Sequence, residues 1–167
     1  DMYGHVLGKH ANKKGLVADT RFNGGGWLHD DLCVFLGGKQ YCKFCPRGKD
    51  LGGEPRTRWS KPVAVVVSEA QYSDAHFFPW AWQTLKLGKT VGMPVPGTTT
   101  AVWWESLHVG GLVFGIPQVG VTNLEGKYLE NWELTPDVMA NISYAELAAG
   151  KDNQLSTAIK ELLKETK

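Results

Sequence analysis

"KPVAVVVSEAQYSDAHFF", residues 61–78, decides the fold. Val63 to Val67 form an unbroken apolar, mostly β-branched run, the pattern of a strand buried on both faces rather than one alternating between core and water. Phe77, Phe78, Ala81, Trp82 and Leu85 then recur at helical spacing, so the stretch reads as strand, turn, helix with Ser73 at the turn. A second such unit lies upstream. In "GLVADTRFNGGGWLHDDL", residues 15–32, a short apolar run leads through three glycines into Leu28, Leu32, Phe35 and Leu36, again spaced as on a helix. Buried strands each followed by a helix predict an α/β fold with a mostly parallel sheet and flanking helices.

Around these units the chain reads as supporting structure. Residues 37–61 are rich in Gly, Pro and charge and predict a long loop, a kind of segment that is often functional inside a compact domain. "LGKTVGMPVPGTTTAVWW", residues 87–104, predicts a strand, a turn and a further extended run, and "HVGGLVFGIPQVGVTN", residues 108–123, predicts short strands. The tail, residues 150–167, predicts a helix capped by Asp152 or Asn153, with Leu155, Ile159, Leu162 and Leu163 as its core face. "DMYGHVLGKH", residues 1–10, reads as the middle of a helix, and the chain is expected to be a piece of a longer polypeptide.

Composition narrows the partners. A chain of 167 residues that is 43% hydrophobic can build one sizeable core, and 18 basic against 17 acidic residues leave a net charge of +1. No basic run interleaves with aromatics, so neither nucleic acid nor an anionic membrane is an expected partner. No apolar stretch approaches the roughly 20 residues of a spanning helix. Cys33, Cys42 and Cys45 are an odd number and imply no closed disulfide set, which leaves the compartment open. "CKFC" has metal-knuckle spacing, but a second knuckle is missing and His29 is the one nearby ligand, so free thiols and no metal or cofactor are expected.

Ser73 carries two readings. At a strand-to-helix junction its hydroxyl can cap the helix, with Asp74 favourable in the first turn. It can equally stand beside free helix amides as a nucleophile next to a site that stabilises an oxyanion. Gly24, Gly25 and Gly26 favour the second, because a glycine run at the end of the neighbouring strand can turn backbone N–H groups toward the same spot. A phosphate-cradling loop is the competing use, yet neither G-x-x-x-x-G-K-[ST] nor G-x-G-x-x-G follows the strand.

"DTRFNGGG", "PVAVVVSEAQYSDAHFF", "LGKTVGMPVPGT", "LENWELTPDV" and "GKDNQLSTAIKEL" together resemble, in order and near spacing, the catalytic core of the carboxy-terminal processing peptidase superfamily, and most closely its tricorn core protease branch. The resemblance spans nearly the whole chain. It implies a crotonase-like fold and a serine peptidase, with residues 1–167 as the carboxy-terminal core subdomain. By the same resemblance Ser73 is the nucleophile, the amides of Gly26 and Asp74 form the oxyanion hole, and Glu130 orients the charge-relay side chain. The processing branch itself uses a Ser/Lys dyad, and where its lysine stands this chain reads "PGTTTA". A Ser/Glu arrangement needs a His to move the proton, and in tricorn-like enzymes it lies upstream of a PDZ-like domain. His5, His10, His29, His76 and His108 do not stand in that position, and His76, three residues along a helix from Ser73, is expected to pack or cap. The isolated chain is therefore expected to be inactive.

Specificity is expected to depart from the archaeal pattern. The resemblance implies that Cys42 takes the place of the acidic residue in the primary specificity pocket, so a preference for basic residues is not expected. Gly24, Gly25, Val102 and Trp103 are further substrate-binding candidates, the last two because "AVWWESL" can present an edge to an extended peptide; Trp103 and Trp104 can equally be core. Peptides and upstream domains are the expected partners, with homo-oligomer formation left open. Two rivals share the fold: a non-catalytic binding module, and an acyl-CoA enzyme with a backbone oxyanion hole. Ser73, Asp74, the glycines and Glu130 occurring together argue against the first, and the second has no need of a Ser73/Glu130 pair.

Overall fold

The computed structural model describes residues 2–166 and runs, in chain order, α1 (Met2–Lys9), β1 (Leu16–Asp19), α2 (His29–Gly37), β2 (Cys42–Lys43), β3 (Gly53–Glu54), β4 (Val63–Val67), α3 (Asp74–Thr84), β5 (Lys89–Gly92), β6 (Ala101–Ser106), β7 (Val113–Val119), β8 (Val138–Met139), α4 (Tyr144–Ala148) and α5 (Asn153–Glu165). Four strands form one parallel sheet in the order β1-β4-β5-β8. The two remaining pairs, β2 with β3 and β6 with β7, are antiparallel.

All five residues of β4 are buried because the strand is central and covered on both faces. Val63, Val65 and Val67 pack with Phe35, Trp59, Phe78 and Trp82 on the face that α2 and α3 cover, and Tyr3, Val6 and Leu7 of α1 join the edge of that cluster. Ala64 and Val66 point the other way, against Val91, Ala140, Ala158 and Leu162 beneath α5. Each valine so buried stabilises the fold by roughly 1.5–3 kcal/mol.

The tail helix starts on Asp152, whose carboxylate accepts the Leu155 amide at 2.8 Å. Its buried face differs from the expected one. Gln154, Ala158 and Leu162 are buried, while Ile159 and Leu163 are exposed. Gln154, Ala158 and Leu162 recur at every fourth position and so lie along one line of the helix, the line that meets β1, β4 and β5, which leaves Ile159 and Leu163 to its flanks. Arg21 ties the helix start to β1. Its guanidinium reaches Asp19 at 2.6 Å and Asp152 at 2.8 Å and also donates to Gln154, and the cation holds both carboxyls below the usual carboxylate range.

The segment between the two strand-turn-helix units is not wholly irregular, since it carries β2 and β3, with Cys42 opposite Glu54, and one 3-10 turn at Pro46–Gly48. Burial pushes the Cys33 thiol up to about 11, and the three cysteines are free. Among the described residues no group of three or more His, Cys, Asp or Glu side chains is placed to hold a metal ion. Among them too, no helix is long and apolar enough to cross a membrane.

Candidate active site

Parallel pairing brings the carboxy ends of β1 and β4 side by side, with Asp19 opposite Val66, so the loops that follow leave the sheet together. Thr20 donates its amide and its hydroxyl to the Val66 carbonyl at 3.0 and 2.9 Å. Next along, the Tyr72 amide donates to the Asn23 carbonyl at 3.1 Å. The glycine run and the Ser73 turn are thereby stitched edge to edge. Gly25, at φ +98°, lies so close that a Cβ there would sit 2.7 Å from the Ser73 Cβ and 2.8 Å from the Tyr72 carbonyl oxygen.

Ser73 is held at φ 58°, ψ −124°, a conformation that costs an L-residue of order 1–3 kcal/mol. Its side chain does not cap α3 and makes no hydrogen bond among the described residues. Strain without a capping bond is what a nucleophile on a sharp strand-to-helix turn displays. Three contacts impose the conformation. The Ser73 amide donates to Thr98 Oγ1 at 2.9 Å, and buried Gln71 accepts the Ser68 amide at 2.7 Å while donating to the Ala75 carbonyl at 2.6 Å. Gly26 and Asp74, the first residue of α3, have amides with no partner among the described residues. Both residues line one cleft with Ser73, and free backbone donors sharing a cleft with a hydroxyl are the raw material of an oxyanion hole.

The Asp74 carboxylate faces the glycine loop. One oxygen accepts the Leu28 amide at 2.9 Å and the other meets His29 Nδ1, so a side chain at the start of α3 pins the start of α2. The His29 ring stacks on Phe77 with centroids 4.2 Å apart and meets Trp27 edge-on at 5.7 Å. His29 thereby packs against three residues that line the cleft, Trp27, Asp74 and Phe77.

Glu130 lies in an adjoining niche with Tyr72, Thr98, Thr100, Val102 and Pro117. Its Oε2 accepts the Thr100 amide at 2.8 Å and the Thr100 hydroxyl at 2.7 Å, which fixes the carboxylate rather than leaving it solvated. His76 is packed below, 1% exposed, with neither ring nitrogen in hydrogen-bond geometry to a neighbour. Burial pushes its imidazole below the usual histidine range, although the Trp132 backbone and the Glu130 charge oppose that shift. A depressed pKa means that His76 adds stability above about pH 6.5, which is lost as pH falls through the folded value because the unfolded chain takes up the proton first. Tm measured from pH 7.5 to 5 should therefore fall toward acid in the parent chain, and His76→Leu should flatten that slope.

The profile of Peptidase family S41 matches residues 4–140. The chain belongs to that family. Among its relatives, the Tricorn protease of Thermoplasma acidophilum is 27% identical over 153 residues, which cover 91% of this chain and 14% of that protein. The Tricorn protease homolog of Saccharolobus solfataricus is 30% identical over 159 residues, covering 92% and 14%. This S41 chain thus spans about a seventh of the length of these relatives. The crystal structure of the tricorn protease superposes with a TM-score of 0.80 at 27% identity over 92% of this chain and 15% of that one. The photosystem II D1 C-terminal processing protease shares the fold, with a TM-score of 0.55 at 17% identity over 78% and 36%.

In this S41 chain one cleft gathers Gly24, Gly25, Gly26, Ser73, Asp74 and Val102. Cys42 is not among its lining residues, because it sits half-buried in β2 and pairs with Glu54. Trp103 is not there either. Side chains alternate along a strand, so Trp104 turns toward the cleft and Trp103 turns to the opposite face of the hairpin. At 60% and 63% exposed, these two tryptophans are not core. Trp27, Phe77, Thr98, Thr100 and Gln71 had no mark in the sequence as site residues; the signal within reach was Gln71, a polar side chain between a buried strand and a helix.

Proposed function

We propose that the chain is the carboxy-terminal core subdomain of a tricorn-like serine peptidase that cleaves short or unfolded peptides. The observation that carries this is Ser73, strained at φ 58° with an unbonded hydroxyl, beside the unpaired amides of Gly26 and Asp74. Ser73 Oγ attacks the peptide carbonyl carbon, and a His supplied from outside this chain takes the hydroxyl proton. Glu130, fixed by Thr100, orients that His. The oxyanion is held by the Gly26 and Asp74 amides until the His returns the proton to the leaving amine; water then repeats the cycle on the acyl-serine. Without the His the chain is inactive, because members of a relay act as a unit. Upstream domains of the same polypeptide are its first partners.

Labelling by a fluorophosphonate, followed by intact mass, tests the reading on a chain extended upstream, beside the 167-residue chain and a Ser73→Ala control. The extended chain should gain one adduct at Ser73 and the other two none. A folded extended chain that stays unlabelled would move the assignment to a binding module.

A further inference from the structure

The cleft beside Ser73 has a volume of about 420 Å³, within the range of a small-ligand site. Its walls are aromatic and aliphatic: Trp27 and Phe77 on one side, Trp104, Val119 and Val121 on the other. Trp27 is 80% exposed, so a large indole face stands uncovered next to the glycine run. Trp104 is held in place by the hairpin. It pairs with Gly115, and a Cβ on Gly115 would come within 2.9 Å of both the Trp104 ring and Val102, so the missing side chain lets the indole lie flat across the strand. Asp74 is the one acidic or basic residue of the lining, and both of its oxygens are already engaged by Leu28 and His29. An anionic side chain entering this cleft loses water and meets no cation, a cationic one meets only the Asp74 carboxylate whose oxygens are taken, and an aromatic one buries apolar area against the Trp27, Phe77 and Trp104 rings.

We propose that this cleft receives the substrate side chain next to the scissile bond and selects large apolar or aromatic side chains over Lys, Arg, Asp or Glu. The selectivity deepens the peptidase reading and rests on it for its place in catalysis, but it can be measured as binding alone. The isotopically labelled chain carrying Ser73→Ala is titrated with acetyl-Ala-Ala-Phe amide and its Lys and Glu counterparts, with the tryptophan indole N–H resonances as the readout. Trp27→Ala and Trp104→Ala assign the two resonances. The Phe peptide should bind about tenfold tighter than the others and shift the Trp27 and Trp104 signals; Trp104→Ala should remove most of that preference and Trp104→Phe keep it. Equal affinities, a preference for Lys or Glu, no binding by any of the three, or shifts confined to other tryptophans would overturn it. Selective binding in a protein whose extended form resists the fluorophosphonate leaves the selectivity standing and removes the peptidase reading; labelling without selectivity does the reverse.

Discussion

Gly25→Ala, placed in the upstream-extended chain, should slow fluorophosphonate labelling of Ser73 by about 10²–10³, the usual cost of losing one oxyanion donor. The added methyl has nowhere to go. It would lie 2.7 Å from the Ser73 Cβ, 2.8 Å from the Tyr72 carbonyl oxygen and 3.1 Å from the Asp74 amide nitrogen, and none of these atoms is the loose end of a side chain. At φ +98° the backbone itself also resists an L-residue. Relief comes by moving the glycine loop away from the start of α3, which would displace the Gly26 amide that we propose as an oxyanion donor. Stability should suffer less than chemistry, since Gly25 is half-buried in a loop outside both core clusters. Gly110→Ala, outside the cleft, is the control: nothing lies within 4 Å of a Cβ there, so labelling should stay within a few-fold of the parent. Equal rates for Gly25→Ala and Gly110→Ala would mean that the close approach of the two loops has no part in the reaction.

The sheet was legible because its evidence is local. Five consecutive apolar residues in β4, four of them valine, read as a strand with cover on both sides, and the two helices that follow β1 and β4 announce themselves by spacing. The contacts that build the site are not local. Asp74 meets His29 across 45 positions of sequence and Glu130 meets Thr100 across 30, and no periodicity encodes which loop a carboxylate will find after the sheet has closed. Gly24–Gly26 and Ser73 are the exception, since an entropic cost repeated three times and a serine at a buried strand's end are both visible in a string of letters. The hairpin shows the opposite limit. "AVWW" reads equally well as core or as an edge, because an apolar run reports that a surface is meant to be covered and not by what. That ambiguity resolves only when Trp104 is seen facing the cleft and Trp103 facing away.

Gly92→Ala should be the most damaging single methyl in the molecule, destabilising the fold by about 4 kcal/mol or more, the range of a backbone clash in a core sheet. Gly92 ends β5 opposite Val67 at φ +141°, and a Cβ built there falls 1.9 Å from the Val67 carbonyl oxygen. Both sides of the contact are pinned. On the far side of β4 the Val66 carbonyl accepts the Thr20 amide at 3.0 Å, and on the far side of β5 the Gly92 carbonyl accepts the Ala140 amide at 2.9 Å, so neither strand can retreat without breaking the sheet beyond it. For a chain of this length, each kcal/mol lowers Tm by about 2–4 °C, and a loss of roughly 10 °C or failure to fold is expected. Gly110→Ala, in an open turn with nothing within 4 Å, should leave Tm nearly unchanged. The effect should also reach the chemistry. Val67 is the last residue of β4, and from Ser68 onward the chain turns through Gln71 to Ser73, so pushing the Val67 carbonyl aside moves the base on which the Ser73 turn stands. A Gly92→Ala chain that melts within 2 °C of the parent and labels at the parent rate would show that β5 can slide away from β4 at this end, and that Ser73 is held by its own loop contacts alone.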